Sequence, residues 1–181
     1  MKIFVFVGEE GFETAQPVEQ EEYTRLDSLI DGTPRADSWE PLLMKIIDKG
    51  ERRRTLQQSD APWMTGDLLV LRQNAAEALR PFLAGHGEFL ALACEQAALV
   101  MFNALCMVDA LDEAASTLKR LDDGRIWWVG KYVFHKAAVQ SLQAFKLTNL
   151  QPSPLFVGEE FLERWRAAGL KGLAFRQVWE G

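Results

Sequence analysis

Two carboxylates three residues apart, Asp109 and Asp112 in the run VDALD, are the residues whose spacing comes nearest to chemistry. On a helix the i, i+3 separation puts both on one face, where a general acid and base act once their environments push their pKa values apart. The competing reading is structural: an aspartate at the end of a buried element caps the next turn through its own side chain, and Asp122 and Asp123 suit that role as well. His86, between two glycines, is an optional assistant to such a pair, and His135 follows an aromatic stretch; a purely structural role is the expected reading for both histidines. Neither histidine stands in an HExxH or comparable ligand pattern, so no metal site is expected. Cys94 and Cys106 lie in apolar sequence without CxxC spacing and read as buried free thiols.

Other catalytic signatures are missing. No serine occupies a GxSxG elbow, and no Walker loop or GxGxxG occurs. Gly85 and Gly87 follow a helix, whereas phosphate cradles precede one, so no cofactor is expected. The ERRR run at 51–54 reads as a solvated turn in an acidic protein, and nucleic acid is not an expected partner.

Charge is distributed unevenly. Residues 1–50 hold five Lys/Arg against eleven Asp/Glu, which accounts for the whole net charge of −6. Glu9, Glu10, Glu13, Glu19, Glu21 and Glu22 make an acidic segment that is either a solvated loop or a surface that attracts a basic partner. Trp63, Trp127 and Trp128 are expected to be mostly buried, as tryptophan usually is, with a role as exposed contact anchors the lesser alternative for each.

The elements that position these residues are legible in part. Residues 2–7 read as an opening strand and 8–41 as irregular connections punctuated by Gly11, Pro17, Gly32 and Pro34. Trp39, Leu42, Leu43, Ile46 and Ile47 return to the core as a strand. Residues 68–71 form a buried strand; Asn74 with Glu77 then starts a helix by a variant capping box, and Pro81 keeps that helix short or kinks it. A strand follows at 89–93. Residues 97–111 suit a buried helix and long buried strands equally. Strands are expected at 126–129, 131–134 and 145–147, with a short helix within 136–142. The last segment reads as strand, helix and strand: 155–157, a helix opened by Glu159 and Glu160 and closed by Gly169, and a strand after Gly172. Residues 68–93 share that grammar, which suggests an internal duplication.

The expected fold is therefore α+β, with mixed, mostly antiparallel sheets and few short helices. It forms a single domain over 1–181, with two related strand-helix-strand subdomains, 1–95 and 96–181, as an option. No run approaches the roughly 20 apolar residues of a membrane span, and the first residues lack a signal-peptide pattern, so a cytoplasmic location without membrane contact is expected.

Five stretches together carry a family likeness: WEPL at 39–42, SDAPW at 59–63, LLVLRQNAAEALRPFL at 68–83, VDALD at 108–112, and LFVGEEFLERWRAAGLKGLAFRQVW at 155–179. From about Trp39 to Trp179 the chain resembles the bacterial immunity proteins of polymorphic toxin systems, specifically immunity family eleven. The family pattern has serine where Gly158 stands here, which removes a helix-cap hydroxyl. The resemblance implies an α+β protein that binds a cognate toxin domain and blocks it without catalysis. Toxin-contact candidates are Glu9, Glu10, Glu13, Glu21, Glu22, Trp63, Asp109 and Asp112. A self-associating scaffold and a small enzyme using Asp109 and Asp112 are the rival readings.

Overall fold

The computed structural model describes residues 1–27 and 31–181. In chain order the elements are β1 (Lys2–Gly8), β2 (Thr14–Pro17), α1 (Gln20–Asp27), β3 (Met44–Ile47), β4 (Leu69–Arg72), α2 (Gln73–Leu83), β5 (Gly87–Leu92), β6 (Leu99–Ala104), β7 (Met107–Val108), β8 (Thr117–Arg120), β9 (Ile126–Lys131), α3 (Lys136–Val139), β10 (Ala144–Leu147), β11 (Phe156–Gly158), α4 (Glu159–Ala167) and β12 (Leu173–Glu180). The fold is α+β and mostly antiparallel, as expected.

A five-stranded sheet runs β12-β1-β11-β10-β7 and a three-stranded sheet β4-β6-β5; β2-β3 and β8-β9 are two-stranded ribbons. The same motif occurs in both sheets. In one, β4 and β5 flank β6, each antiparallel to it, with α2 joining them. In the other, β11 and β12 flank β1 in the same sense, with α4 joining them. Each motif is thus a pair of parallel strands with a helical crossover and a third strand inserted between. The inserted strand comes from the far side of residue 95 in both cases.

Strand periodicity explains why the inserted strands look uniformly apolar. In β6, Val100, Phe102 and Ala104 join one core cluster, while Leu99 and Met101 join another on the opposite face. In β1, Phe4 and Phe6 face the first cluster, and Ile3 and Val5 a third. A strand covered on both faces loses its alternation, so the run 97–111, which suits helix and strand alike, resolves as β6 and β7. The first cluster also takes Leu79 and Leu83 of α2 together with Phe161 and Trp165 of α4, and the rings of Phe82 and Phe161 lie 6.4 Å apart.

Several local expectations are corrected. The stretch 8–41 contains β2 and α1 instead of only irregular chain, although its residues 28–30 lie outside the described residues. Asn74 does not cap α2: the N-cap is Arg72 with no side-chain cap, and the Asn74 amide donates to Asp60 at 2.8 Å. The expected strands at 126–129 and 131–134 are one strand, β9, that runs through Gly130, with Phe134 left in an isolated bridge to Leu111. The close of α4 is as read from the sequence. Gly169 has φ +67°, Leu170 N–H donates to Trp165 O and Gly169 N–H to Arg166 O, the paired bonds of a Schellman motif. Among the described residues no helix is long and apolar enough to cross a membrane.

Candidate interaction site

The acidic segment does not fold as one loop. Glu9 and Glu10 are exposed in the turn after β1. Glu13 is buried: its carboxylate accepts from Ser59 N–H at 3.1 Å and from the Arg72 guanidinium, with Nε at 3.1 Å. Glu21 and Glu22 sit in the first turn of α1, where the helix dipole favours them. Glu22 is engaged by Arg25 at 3.0 Å, which leaves Glu21 as the exposed carboxylate of the pair.

Asp109 and Asp112 do not share a helix face, because the chain is extended there. Asp109 is exposed just after β7, while Asp112 is half-buried and accepts from Ala115 N–H at 3.0 Å, the capping geometry of a turn. Trp63 is half-buried against the first core cluster, pressed onto Gly8 so closely that a Cβ there would lie 3.0 Å from the Trp63 Cβ.

Two adjoining clefts, of about 630 and 510 Å³, lie along the start of α4 and share Gln143, Glu160 and Arg164. Glu160 pairs with Arg164 at 3.1 Å, and Glu159 accepts from Lys2 N–H at 2.9 Å. His86 lines the second cleft. Its Nε2 accepts from Gln143 N–H at 3.2 Å, so its proton is on Nδ1, which is buried without a partner among the described residues. Burial holds the imidazole below its ordinary pKa. A neutral histidine whose free lone pair is spent on a backbone amide has no pair left to take a proton from a substrate. Asp109 and Asp112 line neither cleft, so the optional assistant role of His86 has no geometry behind it.

Trp127 and Trp128 are exposed, at 55% and 42%, contrary to the buried expectation. They lie on the β8-β9 hairpin, whose turn is closed by Leu121 N–H to Arg125 O at 2.9 Å with Gly124 at φ +85°. The pairs Leu118 with Val129, Lys119 with Trp128 and Arg120 with Ile126 leave Trp127 without an opposite residue, and the register slips again at Gly130. These slips are β-bulges, which re-aim side chains. The Lys119 ammonium therefore sits 5.0 Å from the Trp128 ring and 5.9 Å from the Trp127 ring. A sequence signal for this existed. Adjacent residues on a regular strand point to opposite faces, so a WW pair in a two-stranded ribbon cannot bury both rings without a second covering layer.

Residues 98–180 match the model of an immunity protein family, Immunity protein family (Imm11). The match covers VDALD and the closing strand-helix-strand unit, together with the whole β8-β9 hairpin, whereas WEPL, SDAPW and the first strand-helix-strand unit lie before it. No curated protein matches the chain.

Proposed function

We propose, from an immunity-family pattern that occupies residues 98–180, that this protein binds a cognate toxin domain and neutralises it by covering its working surface, with no bond made or broken by its own side chains. The family match is the observation that carries this reading. The geometry supports it in two ways: Asp112 is committed to a turn and His86 to a backbone amide, and the exposed groups are of the kinds that make protein contacts. Residues 1–181 act as one domain in this reading, since the first core cluster draws on both halves of the chain.

Of the contact candidates, Glu9, Glu10, Glu21 and Asp109 are exposed and steer a basic toxin, with Glu22 at the margin. Glu13, Trp63 and Asp112 support the surface from within. Exposed Trp127 and Trp128 give self-association a foothold as the second reading, and light scattering of the isolated chain separates the two.

Co-expression with the toxin encoded by the neighbouring gene tests the proposal. Growth rescued by the chain, together with a co-eluting complex whose on-rate falls with salt, is the expected result. No rescue and no complex contradict it.

A further inference from the structure

Lys119, Trp127 and Trp128 form a unit that the fold of the hairpin does not require. The buried side of β9 is served by Ile126, with Val129 half-buried against the third core cluster. Trp127 and Trp128 nevertheless leave about half of their surface in water, where large apolar rings are costly, and two bulges in six residues aim them at one cation. Gly130 makes room for the arrangement. A Cβ at that position would lie 2.2 Å from the far edge of the Trp128 indole, so the ring lies across the glycine. Leu121, 45% exposed, adds apolar surface at the tip.

Charge selects the partner. Between Thr117 and Lys131 four Lys/Arg stand against two Asp, a basic patch on a chain whose net charge is −6. Arg120 is paired with Glu113 and Arg125 with Asp123, which leaves Lys119 and Lys131 without an ion pair among the described residues. Covering the two rings also strips water from Lys119, and a cation that loses water needs a carboxylate in exchange.

From this juxtaposition we infer that the bulged Lys119–Trp127–Trp128 unit is the anchor for a protein partner, seated in an apolar depression of the toxin that is rimmed by at least one carboxylate facing Lys119. The inference rests on the toxin-binding reading and adds the contact to it: the carboxylates elsewhere on the chain steer, and this unit holds the partner in register. Tryptophans at the centre of such contacts carry a disproportionate share of the affinity. Bases of single-stranded nucleic acid also stack on exposed indoles, but that binding draws its affinity from a strongly positive surface, and this chain is acidic overall.

The test is affinity for the purified toxin domain of the neighbouring gene, measured with the wild type, Trp127→Ala, Trp128→Ala, the double variant, Lys119→Glu, and Glu163→Gln, at an exposed position of α4, as a control away from the hairpin. Each single tryptophan variant is expected to lose about thirtyfold or more in Kd, mostly through faster dissociation, and Lys119→Glu about tenfold or more, with thermal midpoints unchanged. Trp127→Phe/Trp128→Phe should recover part of the loss. A double variant that binds within threefold of wild type overturns the anchor and leaves the toxin-binding reading standing. A wild type that forms no complex overturns both. Tryptophan quenching by an oligouridylate 15-mer at physiological salt, or a wild-type dimer that dissociates in the double variant, overturns the toxin anchor in favour of nucleic acid or a second copy.

Discussion

The Arg72 guanidinium closes over the Glu13 carboxylate across 59 residues of sequence, with the two side chains only 16% and 7% exposed. Arg72 Nε also donates to Ser59 O at 2.9 Å, and Ser59 N–H donates back to Glu13, so β4, the start of β2 and the 59–61 turn are tied at one point. Removing one partner of a buried pair leaves the other charge without compensation. Glu13→Ala is therefore expected to lower stability by about 3–5 kcal/mol, read from urea denaturation. Glu9→Ala and Glu10→Ala, both exposed, should shift it by less than about 0.5 kcal/mol. Equal effects from the three would contradict the placement.

Lys146 is an ionisable amine in the core. It lies on β10 with 1% of its surface exposed, and burial holds its pKa below the ordinary value against the pull of Asp67 and Asp31. Lys146→Met keeps the volume and removes the desolvation cost, and should raise stability by about 1–4 kcal/mol. The wild type should also gain stability as pH rises toward about 10.5, because unfolded Lys146 then holds a proton that the folded form has released. The methionine variant should lose that slope; paired thermal melts at pH 7 and 10 measure both effects.

His86 produces a slope at lower pH. Its folded pKa lies below the ordinary value through desolvation, so as pH falls below about 6.5 the unfolded chain takes up a proton that the folded chain refuses. Stability should fall across that window and level off once the folded imidazole is protonated too. NMR titration of the imidazole gives the direction directly, and His86→Gln should flatten this part of the curve. A histidine that titrates above the ordinary value would refute the buried neutral assignment.

At the end of α4, Gly169 has φ +67° with open space around a would-be Cβ, so Gly169→Ala tests backbone conformation alone. The cost should be about 1–2 kcal/mol. Asp112→Ala, which removes the acceptor for Ala115 N–H, should cost about 0.5–2 kcal/mol and leave toxin neutralisation intact.

What the sequence reveals here follows from how local each signal is. Gly169, Glu159 and Glu160 mark α4 because caps and dipoles act within one turn, and they were readable. β6 was not, because burial on both faces erases the period that separates strand from helix. Nor was the split of the acidic segment: that Glu13 turns inward depends on Arg72, which only tertiary structure brings near. The repeated strand-helix-strand grammar was visible, whereas the insertion of β6 and β1 between the parallel strands needs long-range pairing that no local pattern encodes. For Trp127 and Trp128 the general tendency of tryptophan predicts burial, but the strand rule makes burying both rings of such a pair in a thin ribbon difficult, and both are exposed.

Titrating the toxin's activity against increasing amounts of the chain tests non-catalytic neutralisation most directly. Activity should fall linearly and reach zero at one chain per toxin, and toxin recovered from the complex by denaturation and refolding should be unmodified in mass and fully active. Inactivation of many toxin molecules by each chain, or a recovered toxin that is cleaved or chemically altered, would contradict it.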